Sequence, residues 1–296
     1  MIAHIGYHKT GTTFLQNNVY PYIKDVGFVD YPKCDKIFRD VIYKDNLDYN
    51  FEKSFALLSK NTSIGNQFLF SYEALVGPLF NNSGMNKKNI ADRLKKLGFT
   101  KIIISIRNQT KLLESIYIQH IQEGGVARPS TFFDRGKMMF DWDYGNYFRL
   151  IKYYIELFGK DNVLVLLQEE LKTDQEGSIK RIMDFIGSRV DQEKKQKEKR
   201  ANKSLSLFSL GLLRIINHFT FNKYRPSHLF STHISTWKFR FLLQSYLDPL
   251  LFSRISRKSS IAPIKILEQI KEFYKTSNTE LSKLIGIDLA KYGYPM

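Results

Sequence analysis

Residues 6–13 have the sequence Gly6-Tyr7-His8-Lys9-Thr10-Gly11-Thr12-Thr13. They follow the largely apolar residues 2–5 and lead into Phe14-Leu15-Gln16, an order that predicts a strand, a glycine loop and a helix. A glycine at each end of the loop permits tight backbone turns and lets a ligand approach the amides closely. The N-terminus of the following helix favours an anion, and Lys9 adds a full positive charge. This stretch therefore predicts a phosphate-binding loop.

The position of the lysine separates this loop from that of the nucleoside triphosphatases. Their loop has a glycine, four residues and then Gly-Lys-Ser/Thr, whereas here Lys9 precedes Gly11. The order Gly-x-x-Lys-Thr-Gly-Thr-Thr instead resembles the 5′-phosphosulfate loop of sulfotransferases that use 3′-phosphoadenosine 5′-phosphosulfate (PAPS). A glycine-rich turn without a ligand is the alternative. The resemblance implies a catalytic role for Lys9 and a cofactor-binding loop made of His8, Lys9, Thr10, Gly11, Thr12 and Thr13.

Length and composition favour one globular domain spanning 1–296, with a basic and aromatic elaboration at about 205–258. The sequence has no run of ~18 apolar residues, and the N-terminus begins in the first expected strand, so neither a membrane span nor a signal peptide is expected. Cys34 is the single cysteine, which excludes an internal disulfide and is consistent with a reducing cytoplasm. Since the histidines form no HExxH pair either, no metal is expected.

The chain is strongly basic. Lysine and arginine number 45 against 29 acids, which gives a net charge of +16. This balance fits anionic partners such as nucleic acid, an acidic polysaccharide, lipid headgroups or a phosphorylated nucleotide. A solvated basic surface would produce the same excess, so charge selects among hypotheses without establishing one.

Apolar runs alternate with amphipathic segments along most of the chain. Strands are predicted at 2–5, 67–71, 101–106 and 163–167, and helices at 14–23, 49–60, 89–97, 147–158 and 263–284. Gly27 is interpreted as closing a turn, and the polar remainder of 33–66 predicts no element. This alternation predicts an α/β fold with a central parallel sheet flanked by helices. It matches the P-loop-like three-layer fold that the resemblance implies.

Two residues are candidates for the general base. Glu73 follows the run 67–71, where an acid would lie at the carboxyl end of a strand, the edge at which α/β sheets bind ligands. The Ser-x-Glu-x-Leu sequence there resembles the position from which many carbohydrate-type sulfotransferases supply their base. A helix cap or an ion pair with a lysine is the structural alternative for Glu73. His120, near the end of the helix after 101–106, is the second candidate.

The remaining cofactor contacts are implied by the same resemblance. Arg107, at the end of a strand, and Ser115, eight positions later, resemble the pair that binds the 3′-phosphate. The planar guanidinium suits this role because it makes paired bonds to phosphate oxygens. Arg200, Asn202 and Lys203 resemble the basic segment that folds over the same phosphate, although such charge runs are commonly solvated loops.

Together these features predict a PAPS-dependent sulfotransferase that sulfates a hydroxyl or amine of a carbohydrate or lipid-linked acceptor. The alternatives are a P-loop phosphotransferase and a non-catalytic module that binds an anion or glycan. Basic residues interleaved with aromatic ones at 205–258 suit peripheral contact with an anionic membrane, unless the apolar residues are simply core. We expect a cytoplasmic protein, bound peripherally at the inner membrane surface in the first case, with no nucleic-acid partner. Sequence does not predict its oligomeric state.

Overall fold

The computed structural model describes residues 1–63, 65–80, 83–137, 139–191, 206–220 and 261–296. Its centre is a sheet of five strands, all parallel, in the order β2-β3-β1-β4-β5. The strands are β1 (Ile2–His4), β2 (Val26–Val29), β3 (Gln67–Ser71), β4 (Lys101–Ile106) and β5 (Val163–Leu167). The predicted α/β fold with a parallel sheet and flanking helices is therefore confirmed.

The α-helices lie between and after the strands. In chain order they are α1 (Thr12–Asn18), α2 (Lys33–Tyr43), α3 (Phe51–Ser59), α4 (Lys87–Lys96), α5 (Gln109–Gln122), α6 (Pro129–Phe132), α7 (Tyr147–Phe158), α8 (Gln168–Thr173), α9 (Gln175–Ile186), α10 (Leu207–Asn217) and α11 (Ile264–Ile285). Short 3-10 turns also occur; those used below are Glu73–Val76, which follows β3, and Trp142–Gly145, which precedes α7. Among the described residues no helix is long and apolar enough to cross a membrane.

Apolar side chains cover both faces of the sheet because successive residues of a strand point to opposite sides. Ile2, Leu69 and Ile103 pack on one face with side chains from α1, α8 and α9. On the other face Phe70 packs edge-on against Phe38 of α2, with ring centroids 5.6 Å apart. Burial on both sides explains why β3, β4 and β5 read as continuous apolar runs in the sequence.

Strand β2 was not predicted from the sequence. Gly27 does not close a turn but lies inside β2, paired with Phe68 of β3. A Cβ atom at this position would come within 2.5 Å of the Phe68 ring, so the glycine makes room for a large side chain on the neighbouring strand. Glycine in a strand thus marks close packing here and not chain reversal. The polar segment before Tyr49 also contains α2, which the sequence did not predict.

The described chain forms two compact units. The first comprises residues 1–109, 141–191 and 271–296 and contains the whole sheet. The second comprises 110–140, 206–220 and 261–270. Within the second unit, Asn217 Nδ2 donates to the carbonyls of Ile121 (2.7 Å) and Gly125 (2.8 Å), which holds α10 to the end of α5.

Candidate active site

The loop between β1 and α1 is a tight turn. Lys9 has φ +67° and Gly11 has φ +89°, both in the left-handed region that non-glycine residues seldom adopt. Thr10 Oγ1 donates to the carbonyl of Tyr7 (2.5 Å) and is fully buried, which fixes the turn from inside. The amide of Phe14 then bonds to the carbonyl of Gly11 (3.0 Å) and begins the helix. The sequence pattern of strand, glycine loop and helix is thus formed as expected.

Gly6 is needed for close packing beneath the loop. A Cβ atom at this position would lie 2.8 Å from His4 Nε2 and 3.0 Å from Thr12 Oγ1. Both neighbours are buried, so neither can move aside cheaply. The first glycine of the motif therefore lets the loop pass directly over the end of the sheet.

His4 is a structural residue that sequence reasoning missed. It is fully buried, and its ring joins three strands: Nδ1 contacts Ser71 Oγ of β3 (2.9 Å) and Nε2 contacts Ser105 Oγ of β4 (2.8 Å). Burial lowers the pKa of His4 to about 3, so the ring stays neutral at physiological pH. The signal in the sequence was a polar residue at or near the carboxyl end of each of three mainly apolar strands: His4, Ser71 and Ser105.

Arg107 reaches the loop from the neighbouring strand. Its Nη1 donates to the carbonyl of Lys9 (3.1 Å), and its own carbonyl accepts a bond from the hydroxyl of Tyr147 (2.7 Å). β1 and β4 are adjacent in the sheet. From β1 the chain continues to β2 at one side of the sheet, and from β4 it continues to β5 at the other side. Open α/β sheets bind ligands at the point where the strand order diverges in this way. The structure therefore brings the two strongest phosphate candidates of the first unit together.

Two residues after β5 complete this region and were not singled out from the sequence as functional. Glu169 accepts bonds from the Asn108 amide (3.0 Å) and the Tyr294 hydroxyl (3.1 Å), and so fixes the turn that follows β4. The pKa of Lys172 is lowered, first by burial and then by the positive charge of Arg107. An anion near Arg107 would relieve this repulsion, so Lys172 is a further candidate for phosphate contact.

Glu73 begins the 3-10 turn directly beyond β3, whose neighbour in the sheet is β1. It is half-buried, and the preceding amide of Tyr72 donates to the carbonyl of His4 (3.1 Å). Burial first, and the Glu73 carboxylate among the smaller causes, raises the pKa of Tyr144 well above its usual value. Tyr144 in turn contacts His8 of the loop (2.6 Å). The carboxylate thus lies at the same edge of the sheet as the loop.

The other predicted residues belong to the second unit or lie outside the described residues. Ser115 is half-buried on α5 in the second unit. His120 of the same unit is only 4% exposed, with its ring 5.0 Å from that of Phe132 and packed against Gly125, where a Cβ atom would overlap it. Arg200, Asn202 and Lys203 lie outside the described residues, as does most of the segment 205–258. The first unit therefore unites the loop, Arg107 and Glu73.

Comparison with known proteins gives a consistent family. Residues 2–240 match the sulfotransferase domain model. Human Sulfotransferase 2B1 is 33% identical over 95 residues (31% of this chain and 26% of the relative), and rat Sulfotransferase 2A2 is 32% identical over 97 residues (31% and 33%). The matches thus span a third or less of these curated relatives. A sulfotransferase from Alicyclobacillus acidocaldarius shares the fold, with TM-score 0.58, 14% identity and coverage of 98% and 97%. The chain belongs to the sulfotransferase domain family.

Proposed function

We propose that this protein transfers a sulfuryl group from PAPS to a hydroxyl or amine of an acceptor. The observation that carries the proposal is the hydrogen bond from Arg107 Nη1 to the carbonyl of Lys9 (3.1 Å). It joins a loop suited to one phosphate with a guanidinium suited to a second, and PAPS carries phosphate at both its 5′ and 3′ positions. Membership of the sulfotransferase domain family supports the same reaction.

Lys9 and the loop amides would stabilise the transition state. PAPS supplies an activated sulfuryl group whose bond to the 5′-phosphate breaks during transfer. Negative charge grows on the oxygen that leaves, and Lys9 with the amides of Gly11, Thr12 and Thr13 would stabilise that charge. The tight backbone of the loop fixes these donors before the reaction begins, which lowers the cost of reorganising them.

Glu73 is our candidate for the general base. An acceptor hydroxyl loses its proton as it attacks sulfur, so a carboxylate must contact it at that moment. Glu73 is half-buried at the loop edge of the sheet, where a side chain can meet both the acceptor and solvent. His120 remains the second candidate, but its 4% exposure works against direct contact with an acceptor.

The two alternatives make different demands. A P-loop phosphotransferase would use ATP with magnesium, and its lysine would follow the second glycine, where this chain has Thr12. A non-catalytic anion-binding module has no use for a carboxylate beside the loop. Transfer of sulfur from labelled PAPS in the presence of a chelator would exclude both.

Adenosine 3′,5′-bisphosphate, the product left by PAPS, is expected to stabilise the protein far more than ADP does. At one hundred times its dissociation constant the free energy of unfolding should rise by ~2.7 kcal/mol. ADP lacks the 3′-phosphate that Arg107 and Ser115 are proposed to bind, so its shift should be much smaller. Thermal melting with each nucleotide measures the difference, and Arg107→Ala should abolish it. Equal shifts for both nucleotides would remove Arg107 and Ser115 from the site.

For the acceptor we propose a glycan or a lipid-linked glycan. The support is the likeness of residues 71–75, Ser-x-Glu-x-Leu, to the base position of carbohydrate-type sulfotransferases, together with the basic charge of the chain. Incubation with labelled PAPS and a panel of envelope polysaccharides, lipids and small hydroxyl compounds would identify the acceptor class. Labelling of small hydroxyl compounds but of no polysaccharide or lipid would contradict this part of the proposal.

A lipid-linked acceptor would be met at the cytoplasmic leaflet, so we also expect peripheral binding to anionic membranes. The sequence of 205–258 contains many basic residues and a single acid, Asp248, and its basic residues alternate with apolar clusters. Each lysine or arginine near an anionic surface contributes ~1 kcal/mol. Cosedimentation with liposomes containing phosphatidylserine should therefore occur at low salt and fall at high salt, with neutral liposomes as the control. Failure to bind at low salt would refute the membrane contact.

A further inference from the structure

One tyrosine holds both the backbone and the ring of His8. Tyr144 lies in the 3-10 turn Trp142–Gly145 and is fully buried. Its hydroxyl is 2.6 Å from His8 Nδ1, and the same oxygen accepts the His8 backbone N–H at 3.4 Å. His8 directly precedes Lys9, so this contact acts on the loop at the point where the catalytic lysine begins.

The short contact assigns a tautomer to His8. Burial raises the pKa of Tyr144 well above its usual value, so the phenol keeps its proton. A phenol is a better donor than a neutral imidazole, and an unprotonated ring nitrogen is a better acceptor than a phenol oxygen. When the His8 ring is neutral, Tyr144 therefore donates to Nδ1 and the ring proton lies on Nε2.

Other residues fix the position of Tyr144 through its backbone and its ring. Lys87 Nζ donates to the carbonyls of Asp143 and Tyr144, each at 3.2 Å, and so ties α4 to the 3-10 turn. The same ammonium lies 5.0 Å from the centroid of the Tyr144 ring, and Tyr7 packs edge-on against that ring at 5.1 Å. With these contacts on its backbone and on its ring, Tyr144 presents its hydroxyl to His8 in one orientation.

We propose that Tyr144 is a positioning residue: it holds neutral His8 with the proton on Nε2, and this N–H donates a hydrogen bond to the transferring sulfuryl group. The proposal rests on the function proposed above and adds a neutral donor to Lys9. Charge on the sulfuryl oxygens is redistributed in the transition state, and a donor fixed beforehand stabilises it without reorganisation. A tyrosine-held tautomer makes the donor available at every pH at which His8 is neutral.

The tautomer can be measured without any activity. Long-range proton–nitrogen correlation spectra of ¹⁵N-histidine protein, with His8 assigned by His8→Asn, should show the Nε2–H form in the wild type. Tyr144→Phe should shift His8 toward a mixture of tautomers because the donor to Nδ1 is gone. The matched control is Tyr154→Phe: Tyr154 is equally buried, and its hydroxyl has no hydrogen-bond partner among the described residues. An Nδ1–H tautomer in the wild type, or identical spectra for the two variants, would overturn the proposal.

Kinetics test the second half of the proposal. Tyr144→Phe should lower kcat roughly tenfold, less than the loss from deleting a donor outright, and leave binding of adenosine 3′,5′-bisphosphate unchanged because that product lacks the sulfuryl group. Tyr154→Phe should match the wild type. If Tyr144 acts through His8, then adding Tyr144→Phe to His8→Ala should cause no further loss, whereas independent effects would multiply.

The two levels of proposal fail in different ways. A wild-type protein that transfers no sulfur from PAPS to any acceptor refutes the proposed function. A wild type that does transfer sulfur, while Tyr144→Phe and Tyr154→Phe have equal kcat or the losses of His8→Ala and Tyr144→Phe multiply, refutes the role of Tyr144 alone. His8→Gln should recover part of the activity lost in His8→Ala, because its amide N–H can replace the Nε2 donor.

Discussion

Replacing Lys9 with alanine is expected to lower the turnover of PAPS by on the order of a hundredfold or more. This is the scale on which enzymes lose rate when one preorganised donor to a developing anion is deleted. Lys9 has φ +67°, so the turn itself fixes the backbone from which its side chain extends. Steady-state transfer of labelled sulfur, at saturating PAPS, measures the loss.

A matched lysine provides the control for Lys9→Ala. Lys160 is exposed and lies just before the amino end of β5, at the opposite edge of the sheet from the loop. Lys160→Ala removes the same charge from the protein and should leave turnover within about twofold, as expected for a surface substitution. If both variants lose activity equally, net charge and not the loop lysine is responsible, and the mechanism proposed for Lys9 is wrong.

The second large effect is expected for Glu73→Gln, which keeps the shape of the side chain and removes its basicity. Turnover should fall by roughly a hundredfold to ten-thousandfold, the range that positioned general bases contribute. Binding of adenosine 3′,5′-bisphosphate should be unchanged, since the carboxylate is proposed to act on the acceptor and not on the nucleotide. Melting curves with that nucleotide and initial rates with PAPS, measured on the same sample, separate the two properties.

His120 supplies the comparison for this experiment. His120→Asn should retain most of the turnover if Glu73 is the base, provided that its melting temperature shows the buried packing against Phe132 to be preserved. A fully active Glu73→Gln beside an inactive but folded His120→Asn would reverse the assignment. The histidine would then take the role of base.

The fold was largely predictable because it depends on local patterns. Helix α7 and strand β5 occur where the sequence predicts them. The helix has apolar residues at a helical period and ends at a glycine, and the strand is a short continuous apolar run. β2 was missed because its sequence, Val-Gly-Phe-Val, is short and contains a glycine whose purpose lies on another strand. A glycine that accommodates Phe68 looks the same in the sequence as a glycine that ends a turn.

The candidate site was predictable where its residues form a motif in the chain. Residues 6–13 carry their own geometry, because the glycines set the turn and the helix follows at once. Arg107 was predictable as a strand-end residue, but its bond to the carbonyl of Lys9 joins positions 98 residues apart. The order of the strands in the sheet decides whether these two residues lie close together in space. No spacing in the sequence encodes that order directly.

By itself, the sequence determined the glycine loop between β1 and α1, the parallel α/β fold and the family resemblance, because each depends on neighbouring residues or on apolar periodicity. Tertiary structure alone decided which side chains support that loop. Tyr144 meets His8 across 136 positions, and His4 meets Ser105 across 101. Such buried and partly buried polar pairs follow from the packing of strands and turns, since burial makes an unpartnered donor or acceptor costly and so selects partners by position in space, not in the chain.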